Sequence, residues 1–182
     1  VTHRTLEELE TGLDEIRDSP KSEGRLELIV RRPEVDAREV LERGELDRAE
    51  GLVGDNWRLR GSGGKPDGSP APETQLTLMS SRAISLVAGT RDRWSLAGDQ
   101  LFVDLDLSAV NLPPGTRLAL GSAVVEITAK PHTGCKKFAQ RFGRDALRFV
   151  SSPVGRRLNL RGLYAKVLQP GAIQVGDRVR KL

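Results

Sequence analysis

One cysteine stands in 182 residues, which excludes an intramolecular disulfide and any zinc site built from several thiolates. A reducing, cytoplasmic setting is the expectation that follows. Aromatic residues make up 4% of the chain, few for the stacking platforms that bind single-stranded nucleic acid. No apolar run reaches the length of a membrane span, and 30% of the residues are charged. The opening residues 1–18 are acidic with helically spaced leucines, unlike the basic-then-apolar pattern of a secretory leader. No internal repeat is evident. What is there is a chain of a length suited to one domain, ample for a hydrophobic core.

The net charge of +4 conceals a strong polarity. Residues 1–50 carry nine basic and fifteen acidic side chains, a net of −6. Residues 51–129 come to −1, and residues 130–182, with thirteen basic and two acidic side chains, to +11. Such a basic segment suits an anionic partner, whether nucleic acid, membrane headgroups or a phosphorylated small molecule. It equally suits packing of the basic end against the acidic one.

Residues Thr5 to Arg17 read as one short helix, with Thr5 and Glu8 spaced as a capping box and Leu6, Leu9, Leu13 and Ile16 on one face. A strand follows over Leu26–Val30, and Asp36 to Glu50 reads as a second helix despite Gly44. Residues 61–73 have the composition of a long surface loop, bracketed by strand-like Trp57–Leu59 and Gln75–Leu78. Beyond it the pattern turns mostly β. Ser81 to Val87 is a short helix, Leu101 to Leu107 alternates as a half-buried strand, and Leu118 to Ala129 forms a hairpin around Gly121-Ser122. Leu163 to Leu168 is a further strand, turned by Pro170-Gly171, and Val175 to Val179 passes through a turn at Gly176-Asp177. Many short strands with few long helices predict a β-barrel or sandwich with peripheral helices.

The densest chemistry lies in residues 130–143, Lys130-Pro131-His132-Thr133-Gly134-Cys135-Lys136-Lys137 and on to Gly143. Thr133 is placed to cap a helix that Gly143 ends, with Cys135 in its first turn and Lys136 and Lys137 beside it. Phe138 and Phe142 then face the core, while Lys137, Arg141 and Arg144 form a basic stripe. Two readings of Cys135 stand side by side: an inert buried thiol, or a thiolate favoured by its basic surroundings. His132 is either a turn residue or the partner of that thiol.

These residues resemble a known family. Leu120 to Thr128, then Pro131 and Cys135-Lys136-Lys137-Phe138, are similar to the core of the MOSC domain. Gly51-Leu52-Val53-Gly54-Asp55 resembles its early motif, and Arg93 with Gly98-Asp99-Gln100-Leu101 resembles a segment that often carries Gly-Glu-Asn. Leu163 to Leu168, with Gly171 and Gly176-Asp177, resembles its closing strand pair. The resemblance implies a mainly β fold, a closed β-barrel with a few short peripheral α-helices over residues 25–182. Residues 1–24 would be a helical extension packed on it. It implies that the protein binds the molybdenum cofactor (molybdopterin) or carries sulfur on a cysteine, and it raises a molybdenum-dependent reductase of N-hydroxylated compounds. Cys135 would be the catalytic residue and the molybdenum ligand, a role that suits a soft thiolate. Arg93, Gln100, His132, Lys136, Lys137, Arg141, Arg157 and Arg161 would bind the cofactor, with Arg156 a further candidate, because arginine meets phosphate oxygens in pairs.

Three departures qualify the likeness. Gln100 stands where asparagine is common, and the His-Gly-Gly segment of some stand-alone relatives is missing. The desulfurase domain of the full sulfurases is absent, so pyridoxal phosphate is not expected. With no ferredoxin-type cysteine set, electrons or sulfur would come from a partner protein. A small-molecule substrate is implied, without membrane association. The alternatives are a basic barrel that binds nucleic acid, which the few aromatics disfavour, and an inactive MOSC interaction domain.

Overall fold

The computed structural model describes residues 1–61 and 66–182. Its spine is β1 (Glu23–Arg31), long enough to serve three neighbours. Residues 23–25 pair with β11 (Arg178–Lys181), residues 25–29 with β6 (Leu101–Asp104), and residues 29–31 with the short β2 (Glu39–Leu41). From β11 the sheet continues through β7 (Arg117–Leu120), β8 (Ala123–Ile127), β9 (Leu163–Gln169) and β5 (Leu76–Ser80) back to β6. Seven strands thereby close into a barrel, antiparallel except between β5 and β6. A second, three-stranded sheet joins β3 (Arg43–Asp47), β4 (Gly51–Leu52) and β10 (Gly171–Gln174). A closed β-barrel with short peripheral helices is the architecture that the resemblance implies.

Two hydrophobic clusters lie on opposite sides of the barrel wall. Leu26, Leu76, Leu78, Leu101, Val103 and Leu118 belong to the inner cluster. Leu28, Met79 and Phe102 belong to the outer one, where helices cover them. Strand β6 is therefore buried on both faces, which is why Leu101-Phe102-Val103 is unbroken apolar sequence. The covering helices are α1 (Leu6–Glu10), α2 (Leu13–Arg17), α4 (Ser81–Ala88), α5 (Lys136–Phe142) and α6 (Arg144–Ser151). Leu9, Ile84, Phe138, Phe142 and Phe149 are their main contributions to the outer cluster. Burying each such side chain contributes roughly 1.5–3 kcal/mol. Two single-turn helices, α3 (Trp57–Arg60) and α7 (Pro153–Arg157), complete the set with 3₁₀ turns at Pro72–Thr74 and Arg91–Ala97. Among the described residues no helix is long and apolar enough to cross a membrane.

Several local expectations are corrected. The helix expected over residues 36–50 is instead β2, β3 and their turns. Gly44 sits in β3 opposite Ile173, and a Cβ there would come within 3.0 Å of Leu52. The strand expected at Trp57–Leu59 is the helix α3, because the Asp55 carboxylate accepts the Trp57 N–H at 3.0 Å. The first helix divides at Thr11-Gly12, although its Thr5–Glu8 capping box forms. Strand β6 stops at Asp104, whose carboxylate is engaged by Arg82 at 2.8 Å, while Leu105 and Leu107 remain buried. Cys135, not Thr133, holds the N-cap position of α5. The loop expected over 61–73 falls partly on residues 62–65, outside the described residues.

Candidate functional site

A cleft of about 370 Å³ opens where the ends of β1 and β5, the turn before α3, and α5 converge. Among the described residues, seven cationic side chains line it: Arg32, Arg38, Arg60, Lys130, Lys137, Arg141 and Arg161. Glu34 and Asp36 are on the same wall, and Asp55 and Asp99 lie behind it, paired with Arg32 and Arg161. Among the described residues the cleft thus keeps an excess of three positive charges.

Two buried ion pairs make its floor. Asp55 is fully buried and accepts four hydrogen bonds: from the Arg32 N–H (2.8 Å), Arg32 Nε (2.9 Å), Arg32 Nη2 (2.7 Å) and the Trp57 N–H. Arg32 also donates from Nη1 to the Gly98 carbonyl at 3.1 Å. In the second pair Arg161 Nη1 reaches Asp99 Oδ2 at 2.6 Å and Nη2 the Ala97 carbonyl at 3.0 Å. The guanidinium lies over the Phe138 ring, 4.9 Å from its centre. The Asp55 pair is fully hydrogen-bonded, whereas Arg161 Nε and Asp99 Oδ1 of the second pair are buried without partners; both pairs hold their arginines towards the cleft.

Arg38 and Arg60 are crowded rather than paired. Arg38 is held below the ordinary arginine range by burial and then by Arg141 and Arg32. Burial, with Arg32 second, does the same to Arg60. Neither has a carboxylate within ion-pair distance among the described residues. Gly98, with φ of +86°, lets this happen: a Cβ there would sit 3.2 Å from an Arg38 nitrogen. Such a wall gains most from an incoming anion. One buried acceptor, Asn56 Oδ1, also lacks a partner and belongs to a residue of the same cleft.

His132 stands between this cleft and a neighbouring groove of about 440 Å³ lined also by Val150, Arg156 and Asn159. Its side chain is 9% exposed and its ring packs on Tyr164, centroids 4.6 Å apart. Nδ1 lies 3.6 Å from Asp99 Oδ1, too long for a hydrogen bond, and both atoms are buried without partners. Burial first, then Arg161 and Arg32, push the imidazole down to about 4 against the opposing pull of Asp99, so it is neutral at pH 7. The Tyr164 phenol is pushed up by burial and Asp99 and stays protonated.

Cys135 is exposed on the cleft wall, at the start of α5. No hydrogen bond joins it to His132 among the described residues. Of the other residues singled out from sequence, His132, Lys137, Arg141 and Arg161 share the cleft with it. Lys136 is exposed outside the lining. Arg93 donates to the carbonyls of Ala88 (3.1 Å) and Arg141 (2.7 Å), tying α4 to α5. Gln100 is buried, with Oε1 accepting the Thr77 N–H at 2.9 Å and Nε2 unpartnered. Arg157 borders a separate groove with Lys21 and Asp106, and Arg144 another beside His3.

Arg32, Arg38, Arg60, Asn56 and Tyr164 were not singled out from sequence. Two of these arginines come from the acidic first fifty residues, where regional charge points away from an anion site. The one available signal was the pair of motifs ending in Asp55 and containing Asp99, since both acids turn out to be arginine anchors.

The sequence model of the MOSC domain matches residues 69–180. No curated protein matches the chain. Among solved structures, the YuaD protein from Bacillus subtilis superposes with a TM-score of 0.65 at 15% identity, covering 86% of this chain and 94% of that one. YiiM from Escherichia coli gives 0.54 at 16% identity, covering 87% and 69%. YiiM from Geobacillus stearothermophilus gives 0.54 at 16%, covering 87% and 73%. At these identities the likeness concerns the fold.

Proposed function

The chain belongs to the MOSC domain family, and on that premise we propose that its arginine-lined cleft binds the molybdenum cofactor, with Cys135 supplying the one protein sulfur. The observation that carries this reading is the excess of crowded, anchored guanidinium groups around an exposed thiol. A phosphorylated pterin is anionic, and its charge relieves the repulsion among Arg32, Arg38 and Arg141. Asn56 Oδ1 adds an acceptor suited to an N–H on the pterin edge.

The donor set fits a metal that arrives already chelated. Among the described residues no three His, Cys, Asp or Glu side chains gather as a metal site, so a bare ion has no set of ligands. A metal held by its own organic ligand needs only one thiolate from the protein. When bound, such a group supplies oxygen-atom exchange coupled to two-electron chemistry. The protein's part is to hold the phosphate with Arg38 and Arg60, keep the floor rigid through Asp55 and Asp99, and present the Cys135 Sγ. His132 stands beside the cleft as a neutral ring, since burial with Arg161 and Arg32 opposes its protonation.

A second reading has a specific observation in its favour. The exposure of Cys135 leaves its sulfur open to a donor protein, as a persulfide carrier requires. Expression in a host that makes the cofactor, followed by molybdenum analysis and release of the fluorescent oxidised pterin, separates the two. Cofactor binding predicts near-stoichiometric molybdenum and pterin, pterin lost in Arg38→Ala, and molybdenum reduced in Cys135→Ser. Carriage alone predicts neither, but a mass gain of one sulfur atom after treatment with a persulfide donor. Absence of all three would refute both. Because Cys135 is exposed, Cys135→Ser leaves stability within about 0.5 kcal/mol of the parent.

A further inference from the structure

We propose that Lys137 and Arg141 form a binding site for a tetrahedral oxyanion at the mouth of the cleft, and that the Asp36 carboxylate occupies it in the ligand's place. The proposal rests on the reading of the cleft as an anion site and not on molybdenum. Asp36 Oδ1 accepts from Lys137 Nζ and from Arg141 Nη2, both at 3.0 Å. These donors are four residues apart on α5 and so share a face one turn apart, a spacing that delivers two cationic groups to a single oxygen.

Arg141 does not depend on Asp36 for its position, whereas Lys137 has Asp36 as its side-chain partner. Arg141 Nη1 donates to the Leu96 carbonyl at 2.8 Å, and its backbone carbonyl receives Arg93 Nη2. The carboxylate, by contrast, is held under tension. Asp36 has φ of +63°, a left-handed conformation uncommon for a residue with a side chain. Its side chain is 61% exposed and Val35 beside it 70%, so water competes for these ion pairs.

The segment lies between fixed ends. Arg32 is fixed to Asp55, and Arg38 donates to the carbonyls of Ser95 (3.1 Å) and Ala37 (2.7 Å). Of residues 33–37 between these anchors, Glu34, Val35 and Asp36 line the cleft, and Asp36 is the one that reaches Lys137 and Arg141. A phosphate-type dianion brings twice the charge of the carboxylate and more oxygens, and displaces it without disturbing Arg141. Asp36 then acts as a built-in competitor that admits doubly charged ligands and turns away weak monoanions.

Calorimetric titration of inorganic phosphate into the full chain at low ionic strength tests this, with Trp57 fluorescence as a second signal because that residue lines the cleft. Asp36→Asn is expected to bind phosphate roughly three- to tenfold more tightly than the parent, since the competitor is gone. Adding Lys137→Met removes that gain. In the parent, phosphate accelerates hydrogen exchange of the amides at 34–37. The same titration of cofactor-loaded protein distinguishes the sources: loss of phosphate binding assigns the site to the cofactor's own phosphate, retention to a second ligand. Equal or weaker phosphate binding by Asp36→Asn, beside normal binding by the parent, overturns the competitor role alone. No phosphate binding by either protein overturns both the proposal and the anion reading of the cleft.

Discussion

Lowering the pH from 7.5 to 5 is expected to cost stability through His132 in particular. Its imidazole is 9% exposed, faces Arg161 and Arg32, and is pushed from an ordinary 6.5 down to about 4. In the unfolded chain the same ring regains its ordinary value. Between pH 6.5 and 4 the unfolded state therefore binds more protons than the native one. Stability contributed by the neutral ring is complete above that window and is lost as pH falls through it. The full depression corresponds to about 3 kcal/mol, and roughly 2 kcal/mol of it is gone by pH 5. Carboxylates elsewhere also respond to acid, so the comparison must be differential. Urea unfolding of the parent and of His132→Phe, which keeps a ring against Tyr164, is measured at both pH values. The variant's loss between them is expected to be smaller by about 2 kcal/mol, whatever its stability at pH 7.5. NMR gives an independent check, because His3 is the only other histidine and is exposed. Equal acid sensitivity in the two proteins, or a His132 ring titrating at its ordinary value, would refute the reasoning.

Other perturbations test the floor and the frame. Asp55→Ala leaves the Arg32 guanidinium buried and two further donors, the Arg32 and Trp57 backbone N–H groups, unsatisfied or rearranged. It should lower unfolding free energy by about 3–5 kcal/mol in chemical denaturation and weaken phosphate binding in parallel. Gly162→Ala forces a side chain onto a backbone with φ of +111°, against the Leu78 carbonyl and within 3.2 Å of His132 Nδ1. A loss of about 2 kcal/mol or more, read as a lower melting temperature, is the expected outcome.

The elements most legible in the sequence are those whose signals are local. The hairpin of β7 and β8 turns at Gly121-Ser122 as its spacing says, and α5 runs to Gly143 with Phe138 and Phe142 buried. The misread segment 36–50 owes its conformation to partners far away in the chain. Strand β3 exists because β10 lies beside it, and no window of its own sequence contains that information. Its charged residues Arg43, Glu45 and Asp47 alternate with Gly44 and the buried Leu46 on a small sheet where one side meets water. The cleft divides in the same way. Cys135, His132, Lys137, Arg141 and Arg161 are found by searching near the thiol or along the basic tail. Arg32, Arg38 and Arg60 are brought in by strand ends and turns, and their role depends on Asp55 and on crowding that only the folded chain creates. The resemblance supplied the family and the barrel. It did not reveal that two motif acids anchor arginines.

The closure of the barrel has a consequence for when the protein becomes competent. Residues 23–25 find their partners at 178–180, almost the whole length of the chain away. The two floor pairs differ in reach: Arg32 and Asp55 are 23 residues apart, Asp99 and Arg161 62. During synthesis the first pair has both members early, whereas the second waits for α5, α6 and α7 to emerge. Contacts of such long range slow folding and leave half-made sheets exposed, with β1 lacking the β11 pairing at its first residues. Anion affinity therefore arrives only once the last strands have docked. A phosphate-binding signal in refolding experiments would time the sealing of the barrel rather than the formation of its helices.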